Sequence, residues 1–269
     1  MSSSMQERFR QLHAEGMFVM PNPWDVGSAK LLASLGFPAL ATTSSGHAAT
    51  LGRADQQVTL DELVDHVTAI VEAVDVPVNV DAERLFADDA AAIAAVVDRL
   101  AATGAAGLSI EDYDPSTRAI DSLEVATERV AAAADACRGR GMVLTGRAEG
   151  LLYGAGDLDD VITRLIAYRD AGADVVYAPG LSTLADIYRV VSSVGVPVNV
   201  LASPKVPPTA ELAAAGVRRV STGGLLAWAA YGELKRAATE LLEAGTSTYA
   251  VRALSGADRS GMLASPRAD

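Results

Sequence analysis

Cysteine is almost absent from this sequence. Cys137 stands alone, which excludes an internal disulfide framework and any zinc site built from several thiolates. Lysine is confined to Lys30, Lys205 and Lys235. The first and last fall in helical stretches and Lys205 in a Pro-rich loop, so none suits a Schiff base in an apolar enzyme site. Positive charge is in deficit overall. A net charge of −12 argues against nucleic acid or an anionic membrane as a partner. No apolar run approaches the roughly 20 residues that span a bilayer. The first eight residues, Met-Ser-Ser-Ser-Met-Gln-Glu-Arg, carry no apolar core of an export signal, and a cytoplasmic location is expected. Neither a Gly-x-Gly-x-x-Gly stretch nor a Walker loop is present, so a nucleotide cradle at a strand–helix turn is not expected.

What is present is a regular alternation. Apolar, β-rich runs occur at 17–21, 38–44, 76–81, 107–111, 142–147, 174–178, 196–201 and 218–222. Ala/Leu-rich segments with helical spacing lie between them, near 26–35, 59–74, 88–103, 122–138, 157–171, 182–194, 208–215 and 224–243. Gly36, Gly104, Gly172, Gly195, Gly216 and Gly245 mark helix ends. Eight strands, each followed by a helix, predict an α/β fold of the (β/α)8 barrel type. The rival, a doubly wound open sheet, usually shows an early Gly-rich phosphate loop, which is missing here. Residues 1–245 read as one barrel domain that includes a helical start at 1–16. Residues 246–269 read as a C-terminal arm or tail.

Three of the apolar runs finish in charge: Val-Asn-Val-Asp81-Ala-Glu83, Ser-Ile-Glu111-Asp112 and Leu-Thr-Gly-Arg147-Ala-Glu149. Unpaired buried charge costs several kcal/mol, so the three ends predict one shared polar site. Barrel enzymes place their chemistry at the C-terminal ends of the strands. The other ends offer Trp24, Thr43-Ser44-Ser45-Gly46, Asp55, Tyr177-Ala-Pro179 and Asn199. Several carboxylates with one arginine and no histidine cluster suit a hard cation such as Mg²⁺. The strand-end carboxylates Asp81, Glu83, Glu111, Asp112 and Glu149 are the oxygen donors on offer. Arg147 can fork onto a substrate carboxylate. The small-residue turn at 43–46 can aim backbone N–H groups at an oxyanion. Together these parts suit an enolate derived from a 2-oxo acid. Each group also has a plainer reading: Asp81 and Glu111 as caps, Arg147 as a clamp for Glu111 or Glu149, and Asp112 as a cap for the next segment. Trp24 reads as a wall of the site or as core, and Cys137 as packing. His47 reads as a loop residue, and His13 and His66 as surface residues on helices.

The chain resembles the isocitrate lyase / phosphoenolpyruvate mutase superfamily, in particular its smaller bacterial members. The carriers are Asn22-Pro-Trp-Asp-Val-Gly-Ser-Ala29, the Ser-Ser-Gly turn before Leu51-Gly-Arg-Ala-Asp55, Val80-Asp-Ala-Glu83, Ser109-Ile-Glu-Asp112, Gly146-Arg-Ala-Glu149 and Gly172-Ala-Asp-Val-Val-Tyr-Ala-Pro-Gly180. The resemblance covers about residues 10–245. It implies a (β/α)8 barrel, Mg²⁺ (or Mn²⁺), a small carboxylic-acid substrate, and a homodimer or homotetramer with C-terminal helices exchanged between subunits. It makes Asp81 the main metal carboxylate, with Asp55, Glu83 and Glu111 as acidic neighbours. Arg147 matches the substrate-carboxylate arginine, and Thr43, Ser44 and Ser45 match the substrate-binding turn. With Trp24, Gly46 and Asn199 these form the expected substrate-binding set. Arg147, Asp55, Ser45 and Tyr113 are the candidates for catalysis.

The departures are equally specific. The lyase loop Lys-Lys-Cys-Gly-His is replaced by Tyr113-Asp-Pro-Ser-Thr-Arg-Ala-Ile-Asp121, and the Lys/Asn-rich mutase loop is also missing. The usual Asp-Ala-Asp-Thr-Gly stretch becomes Asp81-Ala-Glu-Arg-Leu85. Strand 6 ends in Ala178-Pro179 where the lyases place a glutamate and the mutase a histidine. The expected activity is Mg²⁺-dependent cleavage of a C–C bond in a small 2-oxo or 2-hydroxy dicarboxylic acid by a lyase or hydrolase. Tyr113, Ser116 or a water would protonate the enolate. One alternative is a mutase-like or phosphonopyruvate hydrolase activity on a P–C bond. Another is a catalytically reduced carboxylic-acid-binding member.

Overall fold

The alternation of apolar runs becomes a barrel. The structure is a computed structural model that describes residues 4–263. Its strands are β1 (Phe18–Met20), β2 (Leu40–Ala41), β3 (Val78–Asp81), β4 (Gly107–Glu111), β5 (Tyr113–Asp114), β6 (Ala119–Ile120), β7 (Val143–Arg147), β8 (Val175–Tyr177), β9 (Val198–Leu201) and β10 (Arg219–Ser221). The helices are α1 (Met5–Leu12), α2 (Val26–Ser34), α3 (Ser44–Thr50), α4 (Leu60–Ala73), α5 (Ala90–Ala102), α6 (Leu123–Arg140), α7 (Gly150–Tyr153), α8 (Leu158–Asp170), α9 (Leu184–Val194), α10 (Thr209–Ala214), α11 (Leu225–Ala244) and α12 (Gly256–Leu263). Eight strands pair in parallel in the order β1-β10-β9-β8-β7-β4-β3-β2. Each falls within one of the eight expected runs. β5 and β6 form a separate antiparallel hairpin.

Strand alternation sorts the side chains. Val80, Leu108, Leu144, Val176, Val200 and Val220 point outward into the layer between sheet and helices, with Val97, Leu100, Val130, Leu165 and Val190. The intervening residues Asn79, Ser109, Thr145, Asn199, Arg219 and Ser221 are buried and polar. The barrel lumen is therefore largely polar, unlike the apolar layers that usually fill such barrels. Its N-terminal mouth is plugged by α1. The Phe9 ring packs edge-on against His13 and Phe18. Gly107 makes room for that ring, because a Cβ there would lie 2.9 Å from Phe9 and 2.6 Å from the Val143 carbonyl. His13 is thus buried, not on the surface as its helical position suggested.

The seam between β1 and β2 lacks a strand ladder and is closed by other means. The Ala41 N–H donates to the Pro21 carbonyl at 3.1 Å. Asn22 donates through Nδ2 to the Thr42 carbonyl at 2.7 Å and accepts through Oδ1 from the Thr222 and Gly223 N–H groups at 2.8 and 2.9 Å. One side chain thereby satisfies the ends of β1, β2 and β10.

Beyond the barrel, Gly195 and Gly245 close α9 and α11 in the left-handed conformation, as read from the sequence. In α11 only Ala227 is buried, while Trp228 and Leu234 are 53% and 62% exposed. The segment after 245 forms a 3₁₀ turn (Thr248–Arg252) and then α12, which lies against α2 of the same chain. Residues 264–269 of the expected arm lie outside the described residues. Among the described residues no helix is long and apolar enough to cross a membrane.

Asn22→Ala should cost about 2–4 kcal/mol, since several backbone groups at the seam lose their partner. Urea unfolding would report this as a lower midpoint at unchanged slope. An unshifted midpoint would mean that other contacts hold the seam.

Candidate active site

The register of the sheet brings the charged strand ends together. Glu111 at the end of β4 lies opposite Arg147 of β7, which lies opposite Tyr177 of β8. The Arg147 guanidinium reaches three carboxylates. Nη1 donates to Asp81 at 2.6 Å, Nη2 faces Glu111 at 3.0 Å and Nε donates to Glu149 at 2.9 Å. Its face lies 5.4 Å from the Tyr177 ring centroid. Burial disfavours its charge, but Glu149, Glu111 and Asp81 more than offset that and hold it protonated. The clamp that the sequence left open is therefore formed, and it takes both Glu111 and Glu149.

One guanidinium does not balance the carboxylates around it. Burial pushes the Glu83 carboxyl up to about 8, helped by the charges of Asp81 and Asp55. Glu111 is raised well above the usual range by burial, against the opposing pull of Arg147. Glu149 is raised for the same reason. Asp55 sits exposed at the rim; partial desolvation and then the Asp81 charge raise it. Oxygen donors with surplus negative charge are the chemistry a hard divalent cation needs. Among the described residues no three acidic or histidine groups converge closely enough to form a ready cage. Magnesium does not require one, because it keeps several waters and uses one or two direct carboxylates.

The turn at 43–46 proves to be the first turn of α3. Thr43 is its N-cap. The Ser44 N–H donates to Asp81 Oδ2 at 3.0 Å, so this helix start already faces the acidic cluster. The Ser45 hydroxyl instead lies against Thr43 Oγ1 at 3.4 Å and beside Gly224. Gly46 admits Trp24: a Cβ there would meet Trp24 at 3.0 Å. Trp24 is half-buried, as a wall residue would be. Asn199 is buried in the lumen one strand from Tyr177.

Asp112 does not join the cluster. It accepts from the Glu149 N–H at 2.8 Å, from Tyr168 Oη at 2.6 Å and from Arg164 at 3.2 Å. It fixes the backbone that carries Glu149.

The loop after β4 is not open chain. It folds into the β5–β6 hairpin, and the Tyr113 ring stacks face to face on Tyr153 of α7, 4.0 Å between centroids and 2° between planes. Arg84 forks onto Asp121 at the hairpin's end, at 2.9 and 3.2 Å. Ser116 donates to Asp114 at 2.7 Å and is exposed at the tip. A cavity of about 270 Å³ separates that tip from the loop after β3, lined by Gln56, Glu83, Phe86 and Asp114 among others.

Two site residues escaped the sequence reading. Gln56 donates to Glu111 Oε1 at 2.8 Å, and it lies in a polar loop whose sequence gives no sign of this. Tyr153 lies four residues after Glu149, and its exposed-looking setting hid the stack. Burial, then Glu111 and Glu149, raise its hydroxyl pKa, so it keeps its proton. His47 and His66, read as loop and surface residues, stack on each other at 3.7 Å.

Comparison with known proteins identifies relatives of this chain. A sequence profile of the family phosphoenolpyruvate phosphomutase matches residues 9–242. The chain is 45% identical to a Burkholderia cenocepacia protein of the lyase/mutase type whose crystal structure superposes with a TM-score of 0.93, over 97% of this chain and 96% of that one. It is 32% identical to oxaloacetate decarboxylase of Rhodopseudomonas palustris, over 65% of this chain and 62% of the relative. A solved phosphonopyruvate hydrolase bound to oxalate and Mg²⁺ shares the fold at 23% identity, with a TM-score of 0.84 over 97% of this chain and 95% of that one.

Asp112→Asn should destabilise the fold by about 2–3 kcal/mol by leaving Arg164 and the Glu149 N–H poorly paired. Oxalate affinity in the presence of Mg²⁺, measured by calorimetry, should change less than about threefold, because Asp112 faces away from the cluster. A large loss of affinity with little loss of stability would place Asp112 in the site after all.

Proposed function

Since this chain belongs to the phosphoenolpyruvate phosphomutase family, within the isocitrate lyase / phosphoenolpyruvate mutase superfamily, we propose that it is a lyase-type enzyme cleaving a C–C bond in a small 2-oxo or 2-hydroxy dicarboxylate. The observation that carries this reading is the Arg147-centred cluster of Asp81, Glu111 and Glu149 at the C-terminal mouth of the barrel, with an excess of carboxylate. The oxalate and Mg²⁺ found in the hydrolase relative, and the named activity of the decarboxylase relative, point to the same class of ligand.

Asp81, Glu83 and Glu111 would hold Mg²⁺ (or Mn²⁺), in part through waters. The ion would supply the charge that polarises a 2-oxo group and stabilises an enolate. The chain's own residues do the rest. Arg147 keeps two N–H groups beyond its three carboxylate bonds, and these can take a substrate carboxylate. Asn199 and the start of α3 orient the other oxygens. The Tyr113–Tyr153 stack stands at the mouth, and its hydroxyls are the candidates for the proton that an enolate must receive. The Lys- or Cys-bearing loops of relatives are replaced here by the hairpin, which favours a small substrate over a tricarboxylate.

Assembly belongs to the same proposal. A 20-residue helix with one buried residue presents Trp228, Leu234 and Leu241 to solvent. That is a surface suited to a second copy, as a homodimer or homotetramer. Leu241→Glu should shift sedimentation toward monomer, and an unchanged distribution would exclude α11 from the interface.

The enzymatic test is a panel of oxaloacetate, substituted malates and phosphonopyruvate with and without Mg²⁺. Pyruvate without phosphate is the expected product; phosphate release would favour P–C cleavage. Asp81→Asn should lower the Mg²⁺-dependent rate by about a thousandfold. Arg147→Lys should raise KM at least about tenfold, because the fork is lost. The absence of both turnover and Mg²⁺-dependent oxalate binding would leave only a catalytically reduced family member.

A further inference from the structure

Among the described residues Arg219 is the largest fully buried side chain, 2% exposed, and no carboxylate pairs with it. Its donors go to neutral acceptors. Nε donates to Asn199 Oδ1 at 2.9 Å, Nη2 to Thr145 Oγ1 at 2.9 Å, and Nη1 faces His13 Nε2 at 3.3 Å. His13 is neutral, held near 3 by burial and by Arg219 itself. Its Nδ1 lies 2.8 Å from the Phe9 carbonyl, which accepts only, so Nε2 is left free to accept from Arg219. Burial lowers the Arg219 guanidinium to about 9, which still leaves it charged at neutral pH. Keeping an uncompensated charge in a barrel lumen is expensive.

The consequence lies one bond further on. A guanidinium can only donate. It therefore fixes Asn199 with Oδ1 facing Arg219 and Nδ2 facing the other way, onto Ser221 Oγ at 2.9 Å. Ser221 must accept that bond, so its own proton turns away from Asn199, toward the cavity it shares with the Tyr177 hydroxyl. Arg219, Asn199 and Ser221 line one polar cavity of about 60 Å³ beneath Arg147 and Asp81, together with Tyr177, Thr42 and Ser109. That space suits about two waters or the oxygens of one carboxylate.

We infer that Arg219 is a positioning residue: it sets the hydrogen-bond polarity of the lumen floor so that Asn199 and Ser221 present donors, over a buried positive charge, to an anionic oxygen of the substrate. This rests on the carboxylic-acid substrate proposed above. It extends that reading to a residue below the mouth that does not touch the ligand. The floor and the mouth are then opposite in character, donors below and carboxylates above.

Asn199→Asp separates this role from simple packing. An aspartate has the same shape, but it accepts from both Arg219 and Ser221. It gives Arg219 a counter-charge and turns the chain of donors around. The unliganded variant should melt at or above the temperature of the parent. Its oxalate affinity in the presence of Mg²⁺ should fall by about a hundredfold, as expected for losing a bond to a charged group and gaining repulsion. Arg219→Met should weaken oxalate binding by about tenfold. The inference is overturned if Asn199→Asp melts several degrees lower, which would mean that Oδ1 does not face Arg219. It is also overturned if either Asn199→Asp or Arg219→Met binds oxalate as the parent does. If the parent itself fails to bind oxalate with Mg²⁺, the functional proposal falls, and the polarity of Asn199 is still decided by the melting temperature of the unliganded Asn199→Asp variant.

Discussion

The mouth of this barrel depends on one buried guanidinium. Asp81, Glu111 and Glu149 come from three different strand ends, and burial raises Glu111 and Glu149 above the usual carboxylate range even beside Arg147. Arg147 lets them meet, with one guanidinium nitrogen aimed at each. The parallel pairing of β4, β7 and β8 supplies the geometry, because it sets Glu111, Arg147 and Tyr177 side by side. Supporting contacts then make sense in order. Asp112 secures the Glu149 backbone, Ser44 braces Asp81, and Gln56 occupies the second oxygen of Glu111.

The lumen contains a second arginine solved in the opposite way. Arg147 is surrounded by carboxyl groups, and Arg219 only by neutral oxygens and a neutral imidazole. An arginine among carboxylates compensates charge, whereas an arginine among neutral acceptors exports a field and a fixed donor direction. Stacked along one barrel axis, the two arrangements would, on the proposed function, hold a cation near the mouth and anionic oxygen near the floor. This is the charge pattern of a chelated 2-oxo acid.

Around this centre the chain departs from its superfamily at two loops, and the departures touch each other. After β3, Leu85 stands at φ +63° where the family pattern has glycine, and Glu83 and Phe86 also adopt positive φ. Such backbone is costly for residues with a Cβ. Buried Leu85 offsets part of that cost by joining the core. The neighbouring Arg84 forks onto Asp121 and so ties this strained loop to the hairpin that replaces the lyase loop. The two segments where the resemblance breaks down therefore brace one another across the mouth.

The sequence by itself determined the barrel. Eight apolar runs and eight helical segments are local patterns, set by strand and helix periodicity, and they survive without knowledge of the neighbours. It also placed Asp81, Glu111 and Arg147 at strand ends, where the cost of unpaired buried charge predicts a shared cluster. Only the tertiary structure decided their partners. Asp112 and Glu111 are adjacent in sequence, yet strand alternation sends one inward to Arg147 and the other outward to Tyr168 and Arg164. Arg218 and Arg219 are likewise indistinguishable in the chain; one lies at the surface on Gly16 and the other spans the lumen. The turn at 43–46 became a helix, His13 moved inside, and the open loop became a hairpin held by Tyr153, because each of these depends on contacts between residues far apart in the chain. Periodicity says that a residue is buried; what it is buried against is settled only when the sheet closes.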